Sequence, residues 1–171
     1  MTFSNGVTYD PATGEITVPA GVTDFTVTVP TVDDRVDEAD ETLTLTVGGK
    51  DAIGAIVDND ELPTIKDVAV SNADAKAEEG TPLTFKVTLS AASEQATSHS
   101  FNLAGVSAEE GDFNRAGVTF SNGVTYDPAT GEITVPAGVT DFTVTVPTVD
   151  DRVDEADETL TLTVGGKDAI G

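Results

Sequence analysis

Thr148-Val149-Asp150-Asp151-Arg152-Val153-Asp154-Glu155-Ala156-Asp157-Glu158-Thr159-Leu160-Thr161-Leu162-Thr163-Val164 joins two kinds of sequence in one stretch. Its first half packs six carboxylates into the nine residues 150–158. Its second half alternates Leu160, Leu162 and Val164 with threonine, the period-2 pattern of a half-buried strand. A dense anionic loop is thus fixed to the end of a sheet. The same stretch also occupies residues 31–47.

That second occurrence is part of a longer identity. Residues 2–54 recur unchanged as residues 119–171, an offset of 117. Identity this complete indicates tandem duplication, and both chain ends then fall inside a repeat. A whole repeat is expected to start near Pro63 and to end with a segment equivalent to residues 55–62. Residues 1–62 are then the C-terminal half of one β-sandwich repeat plus an acidic junction. Residues 63–171 are a second β-sandwich repeat lacking its last strand. The first half-repeat has no N-terminal strands of its own to pack on. It is expected either to be poorly ordered or to borrow a sheet from another chain by half-domain swapping.

Outward from the repeated stretch, the other segments also read as strands. Val7-Thr8-Tyr9 and Glu15-Ile16-Thr17-Val18 flank Asp10-Pro11-Ala12-Thr13-Gly14, a hairpin turn with Pro to set φ and Gly to supply positive φ. Phe25, Val27 and Val29 alternate with polar residues up to Pro30, and Leu43, Leu45 and Val47 form the next inward row. In the second repeat the rows are Val68 and Val70, then Leu83, Phe85, Val87 and Leu89, then Phe101 and Leu103. Residues 90–98 read as a polar loop. No segment keeps a helical period over three turns. Short strands with turn signals every eight to twelve residues indicate an all-β fold, an antiparallel β-sandwich of immunoglobulin-like architecture without significant helix.

Composition narrows the function. Eight Lys+Arg against 31 Asp+Glu give a net charge of −23. A nucleic-acid partner is therefore not expected, because phosphate would be repelled. No apolar run reaches membrane-spanning length, so no membrane insertion is expected. There is no cysteine, so neither disulfides nor thiol chemistry are available. Met1 leads into Thr2-Phe3-Ser4-Asn5 without a basic and apolar leader, and the chain reads as a soluble piece of a larger protein. Clustered carboxylates are oxygen ligands suited to a hard cation such as calcium.

These residues carry a family resemblance. Ala77-Glu78-Glu79-Gly80 with Phe85, Gly111-Asp112-Phe113, Asp150-Asp151 followed by Glu155, Asp157 and Glu158, and Ala55-Ile56-Val57-Asp58-Asn59-Asp60 occur in the order of one repeat. Together they resemble the Calx-beta family and, within it, the tandem extender repeats of bacterial RTX-type adhesins. The resemblance implies Ca2+ as the ligand of these acids. In the second repeat the implied ligands are Glu79, Asp112, Asp150, Asp151 and Glu155. In the first they are Asp33, Asp34 and Glu38, with Asp58 and Asp60 from the tail. Two departures stand out. Arg152 sits where the family often has a third acid, and neither site holds the complete family set within this chain.

The resemblance also implies a role. The expected function is a calcium-stabilised spacer of a large, secreted adhesin at the bacterial cell surface, with neighbouring identical repeats as its partners. It would project a distal binding domain for adhesion or biofilm formation. A calcium-sensing regulatory module is the alternative, and complete repeat identity favours the spacer because sensors need differentiated sites. A directly adhesive module would call for an aromatic patch or long variable loops. An enzyme is not expected. His99 has no nucleophile elbow or oxyanion-hole motif beside it, and few aromatic residues are present to line a sugar cleft.

Overall fold

A computed structural model describes residues 1–151 and 156–171, which form an all-β protein of two compact units, Met1–Asp34 and Arg35–Gly171. The first unit holds Thr2–Phe3 (β1), Thr8–Asp10 (β2), Glu15–Thr17 (β3) and Val27–Thr28 (β4). They form two antiparallel pairs, β1 with β4 and β2 with β3. The Asp10 carboxylate accepts the Ala12 N–H at 2.9 Å and the Asp10 carbonyl accepts the Gly14 N–H at 2.8 Å. Gly14 has a φ of +76°, so the hairpin turn read from the sequence forms as expected.

The second unit begins with Val36–Asp37 (β5), Glu41–Val47 (β6) and Lys50–Ile56 (β7). It continues with Ile65–Val70 (β8), Leu83–Leu89 (β9), Ala92–Ser93 (β10), Thr97–Gly105 (β11) and Thr119–Phe120 (β12). Thr125–Asp127 (β13), Glu132–Val135 (β14), Asp141–Val146 (β15), Leu160–Val164 (β16) and Lys167–Ile170 (β17) complete it. Single 3-10 turns occupy Ala73–Ala75 and Arg115–Gly117. Residues 90–98, expected as a loop throughout, contain β10 and the start of β11.

Two antiparallel sheets, β12-β15-β9-β8 and β13-β14-β11-β16-β17, enclose the core. Phe85 faces Val144, Val87 faces Phe142 and Leu83 faces Val146 across β9 and β15, while Leu103 faces Leu162 across β11 and β16. All eight are buried. At roughly 1.5–3 kcal/mol for each large apolar side chain removed from water, such rows are the main favourable contribution to the repeat. A β-bulge between Ile65 and Asp67 explains why β8 reads as an interrupted strand. The extra residue lets Ile65 and Val68, three apart, both face inward.

The duplicated sequence isolates what local residues decide from what partners decide. Phe3 pairs with Val27 as Phe120 pairs with Val144, and Tyr9 pairs with Ile16 as Tyr126 pairs with Ile133. Ser4 and Ser121 accept the N–H groups of Thr26 and Thr143 at 2.8 and 2.7 Å. Turns and hairpins are therefore reproduced. Burial is not. Ile133, Phe142, Val144, Val146 and Leu162 are inaccessible to solvent, whereas their twins Ile16, Phe25, Val27 and Leu45 are only half-buried and Val29 is exposed. The strand expected over Phe25, Val27 and Val29 shrinks to Val27–Thr28, against six residues in β15. The six-residue form pairs with β9 along its whole length, and among the described residues β4 pairs with β1 alone. Likewise, among the described residues, β6 pairs with β7 alone, whereas its twin β16 also pairs with β11.

Placing a copy of residues 63–118 ahead of Thr2 should therefore protect the amides of residues 25–29 and 43–47. Hydrogen exchange should slow there to the rates of residues 142–146 and 160–164. Exchange that stays fast would show that the first copy does not complete a sandwich this way.

Candidate functional site

One end of the second-repeat sandwich is built by three segments far apart in sequence. The first is the turn Glu78-Glu79-Gly80-Thr81, closed by a 2.9 Å bond from the Thr81 N–H to the Glu78 carbonyl. The second is the Gly111-Asp112-Phe113 turn. The third leaves β15 through Pro147 and Thr148 to Asp150. Thr148 donates its hydroxyl to the Thr81 carbonyl at 2.9 Å, joining third to first. The Val149 N–H donates to the Asp112 carbonyl and the Asn114 N–H to the Pro147 carbonyl, each at 2.8 Å, joining third to second. The ring of buried Phe113 lies under the Arg115 guanidinium, 5.6 Å from the centroid, and Arg115 also bonds the Leu103 carbonyl and Glu110. These contacts pin the acidic turns to the core.

Gly80 fits its position for two reasons. Its φ of +73° is left-handed, and a Cβ there would lie 3.0 Å from the Asp150 Cβ. The Glu79 turn and Asp150 are thus packed directly against each other. Asp112 uses one carboxylate oxygen to cap the Glu109 N–H and so shapes its own turn.

Between these segments lies a cleft of about 1060 Å³ lined by Glu79, Asp112, Asp150 and Asp151. Asp74, Glu78, Asp157 and Glu158 also line it, so among the described residues eight carboxylates face a single cation, Lys76. The Lys76 ammonium meets the Asp157 carboxylate at 2.6 Å. That hydrogen bond, reinforced by the opposite charge, holds the Asp157 carboxyl below the usual range and raises the Lys76 pKa. Among the described residues, no three carboxylates are close enough to form a ready-made metal shell. The donor set is nevertheless all hard oxygen, set on an open cleft wall, which suits a hard divalent cation rather than a soft one.

Four of the five acids expected at this site are thereby brought together, and Glu155 lies outside the described residues. In the first copy the expected acids are divided. Asp33 and Asp34 belong to the first unit, and Glu38, Asp58 and Asp60 to the second. Within the second unit the Asp58 carboxylate accepts the N–H groups of Glu38 at 3.3 Å and Asp60 at 3.4 Å. Asp40, not singled out from the sequence, accepts the Asp58 N–H at 3.0 Å. These junction acids fold the backbone around themselves. Lys76 is a further residue that sequence reasoning misses. Its signal is its position as the lone basic residue between the Asp74 and Glu78-Glu79 acids.

His99 stands apart from the cleft. It lies in β11 opposite Ile133, with Nε2 3.0 Å from the Thr97 hydroxyl, and burial pushes its pKa below the ordinary histidine value.

The Calx-beta domain family matches the chain in two segments, residues 1–74 and 68–169. No curated protein matches. Among solved structures, the crystal structure of the S-layer protein SbsC domains 4 and 5 is similar at 20% identity, with a TM-score of 0.36. That alignment covers 77% of this chain and 55% of the other, so the chain spans about half the length of that structure.

Two outcomes are expected at these positions. Gly80→Ala should cost about 1–2 kcal/mol in urea unfolding, from the left-handed backbone alone, before Asp150 is displaced. For His99, the neutral form is the one the fold prefers. Its contribution is therefore present above roughly pH 6.5 and lost as pH falls through the depressed folded value. His99→Gln should flatten the fall in stability as pH drops below about 6.5; identical slopes for both proteins would remove histidine from the pH response.

Proposed function

The chain belongs to the Calx-beta domain family, and on that premise we propose that it is a calcium-stabilised extender of a large, secreted bacterial surface adhesin of the RTX type. In this reading, successive 117-residue repeats, divided between residues 62 and 63, hold a distal ligand-binding domain away from the cell. The observation that carries the reading is the cleft whose walls come from three distant segments and, among the described residues, present eight carboxylates to one lysine.

Glu79, Asp112, Asp150 and Asp151 would hold the ion in the second repeat, with Glu155. Asp33, Asp34, Glu38, Asp58 and Asp60 are the corresponding candidates in the first copy and junction. A bound calcium ion supplies two positive charges and accepts roughly six to eight oxygen ligands. The chain supplies a pinned frame. Thr148 ties the Asp150 segment to the Glu79 turn, and the Val149 amide ties it to the Asp112 turn. Two carboxylates held about 4 Å apart repel by roughly 4 kcal/mol at a surface-like dielectric, and a bridging cation reverses the sign. The Lys76–Asp157 pair gives a weaker, local neutralisation of the same wall. Neighbouring copies of the repeat are the partners in this role, and no step of it needs a catalytic group.

Thermal unfolding and small-angle scattering, in millimolar calcium and in chelator, test the proposal. A hundredfold excess of calcium over its Kd stabilises by about 2.7 kcal/mol, which raises the Tm of a domain this size by on the order of 10 °C. Asp150→Asn and Asp151→Asn should each remove most of that rise while leaving the Tm in chelator unchanged or higher. A chain whose Tm and dimensions ignore calcium would be a calcium-independent spacer at most.

A further inference from the structure

The acidic loop of the first copy makes a contact that the metal reading does not use. β5, inside that loop, pairs in parallel with β10 of the second repeat, Val36 facing Ala92 and Asp37 facing Ser93. The Ser93 hydroxyl donates to the Asp37 carboxylate at 2.6 Å, and the Glu94 N–H donates to the Asp37 carbonyl at 2.8 Å. Ser93 is only 3% exposed. It is also held from its own side, since its hydroxyl accepts the Gln95 N–H at 3.0 Å and its carbonyl accepts the Gly138 N–H at 2.8 Å. The acidic loop is fixed in turn to the linker, because the Asp58 carboxylate accepts the Glu38 N–H and Asp40 accepts the Asp58 N–H. Plug and socket each carry hydrogen bonds of their own besides those they share.

The positions of cleft and socket give the contact a direction. The Glu79 turn precedes β9 and the Ser93 socket follows it, so they sit at opposite ends of the sandwich, roughly 20 Å apart along the strand. The acidic loop that lines the cleft in the second repeat is the twin of the loop that fills the socket from the first. We propose that Asp37 and Ser93 form a head-to-tail latch between consecutive repeats. Each repeat offers its acidic loop to the Ala92-Ser93-Glu94 socket of the repeat that follows. Asp154, the sequence twin of Asp37, lies outside the described residues. The latch consists of protein hydrogen bonds and does not rest on the calcium reading.

Cross-linking the full chain tests it cleanly, because the sequence contains no cysteine. The double variant Asp37→Cys with Ser93→Cys should close an intramolecular disulfide under mild oxidation in most molecules, and the control Asp37→Cys with Ser98→Cys in few. Amide exchange gives the second readout. Ser93→Ala should speed exchange at Glu94 roughly ten- to hundredfold, the loss expected for a hydrogen bond to a charged group, while amides of Phe85 and Leu103 stay protected. Both results should hold in chelator. Failure of the D37C/S93C double variant to cross-link, cross-linking only between two molecules, or unchanged exchange at Glu94 would each overturn the latch. None of these would bear on whether calcium raises Tm.

Discussion

The pairing of β15 with β9 and of β16 with β11 is the constraint on which the rest of the repeat depends. Each strand brings one apolar face, and neither its own turn nor its hairpin partner can cover that face. When β9 is present, Phe142, Val144 and Val146 disappear from solvent in register with Val87, Phe85 and Leu83. When the same residues recur as Phe25, Val27 and Val29, pairing contracts to Val27–Thr28 and the apolar row stays partly wet. The hydrophobic gain is non-local, whereas the turn chemistry is local. The acidic end of the sandwich inherits its geometry from this pairing. Pro147 and Thr148 are aimed at the Asp112 and Glu79 turns only because β15 ends beside the start of β9.

A net charge of −23 would ordinarily oppose such compaction. The structure offsets part of that cost by giving carboxylates backbone N–H groups to hold. Asp10 and Asp127 each cap their hairpin turns, Asp112 caps Glu109, and Asp58 gathers Glu38 and Asp60. A carboxylate that accepts an amide is locally compensated even where no cation is near. Lys76 against Asp157 is the one direct ion pair among the described residues of the cleft wall, and it is largely solvated.

The inward rows are legible in the sequence because period 2 reports faces directly, and Phe85, Val87, Phe142, Val144, Leu160 and Leu162 all lie where alternation puts them. Alternation does not report partners. That is why Phe25 and Val29 look as strand-like as Phe142 and Val146 yet do not extend their strand. At the cleft, Glu79, Asp112, Asp150 and Asp151 are readable as acids flanking strand ends. Lys76 and Asp74 give weaker signals, and Asp40 sits in the acidic run with nothing to mark out its bond to the Asp58 N–H. Ser93 gives none. A serine in a polar loop is indistinguishable from its neighbours until a carboxylate from 56 residues earlier in the chain is found against it.

The duplicated loop also links the two ends of the sandwich logically. A contact between unlike surfaces, the plug of one unit and the socket of the next, does not close on itself as a two-fold contact does. It propagates for as long as units follow. Sequence identity between copies then becomes a requirement of the joint, because every plug must match every socket. One copy of the acidic loop thus carries both the cleft acids and the joint residue. Asp150 and Asp151 serve the cleft while the Asp37 position serves the joint, only three and four residues apart along the repeated stretch. Such crowding of two tasks into one loop gives a physical reason for the loop to recur without change.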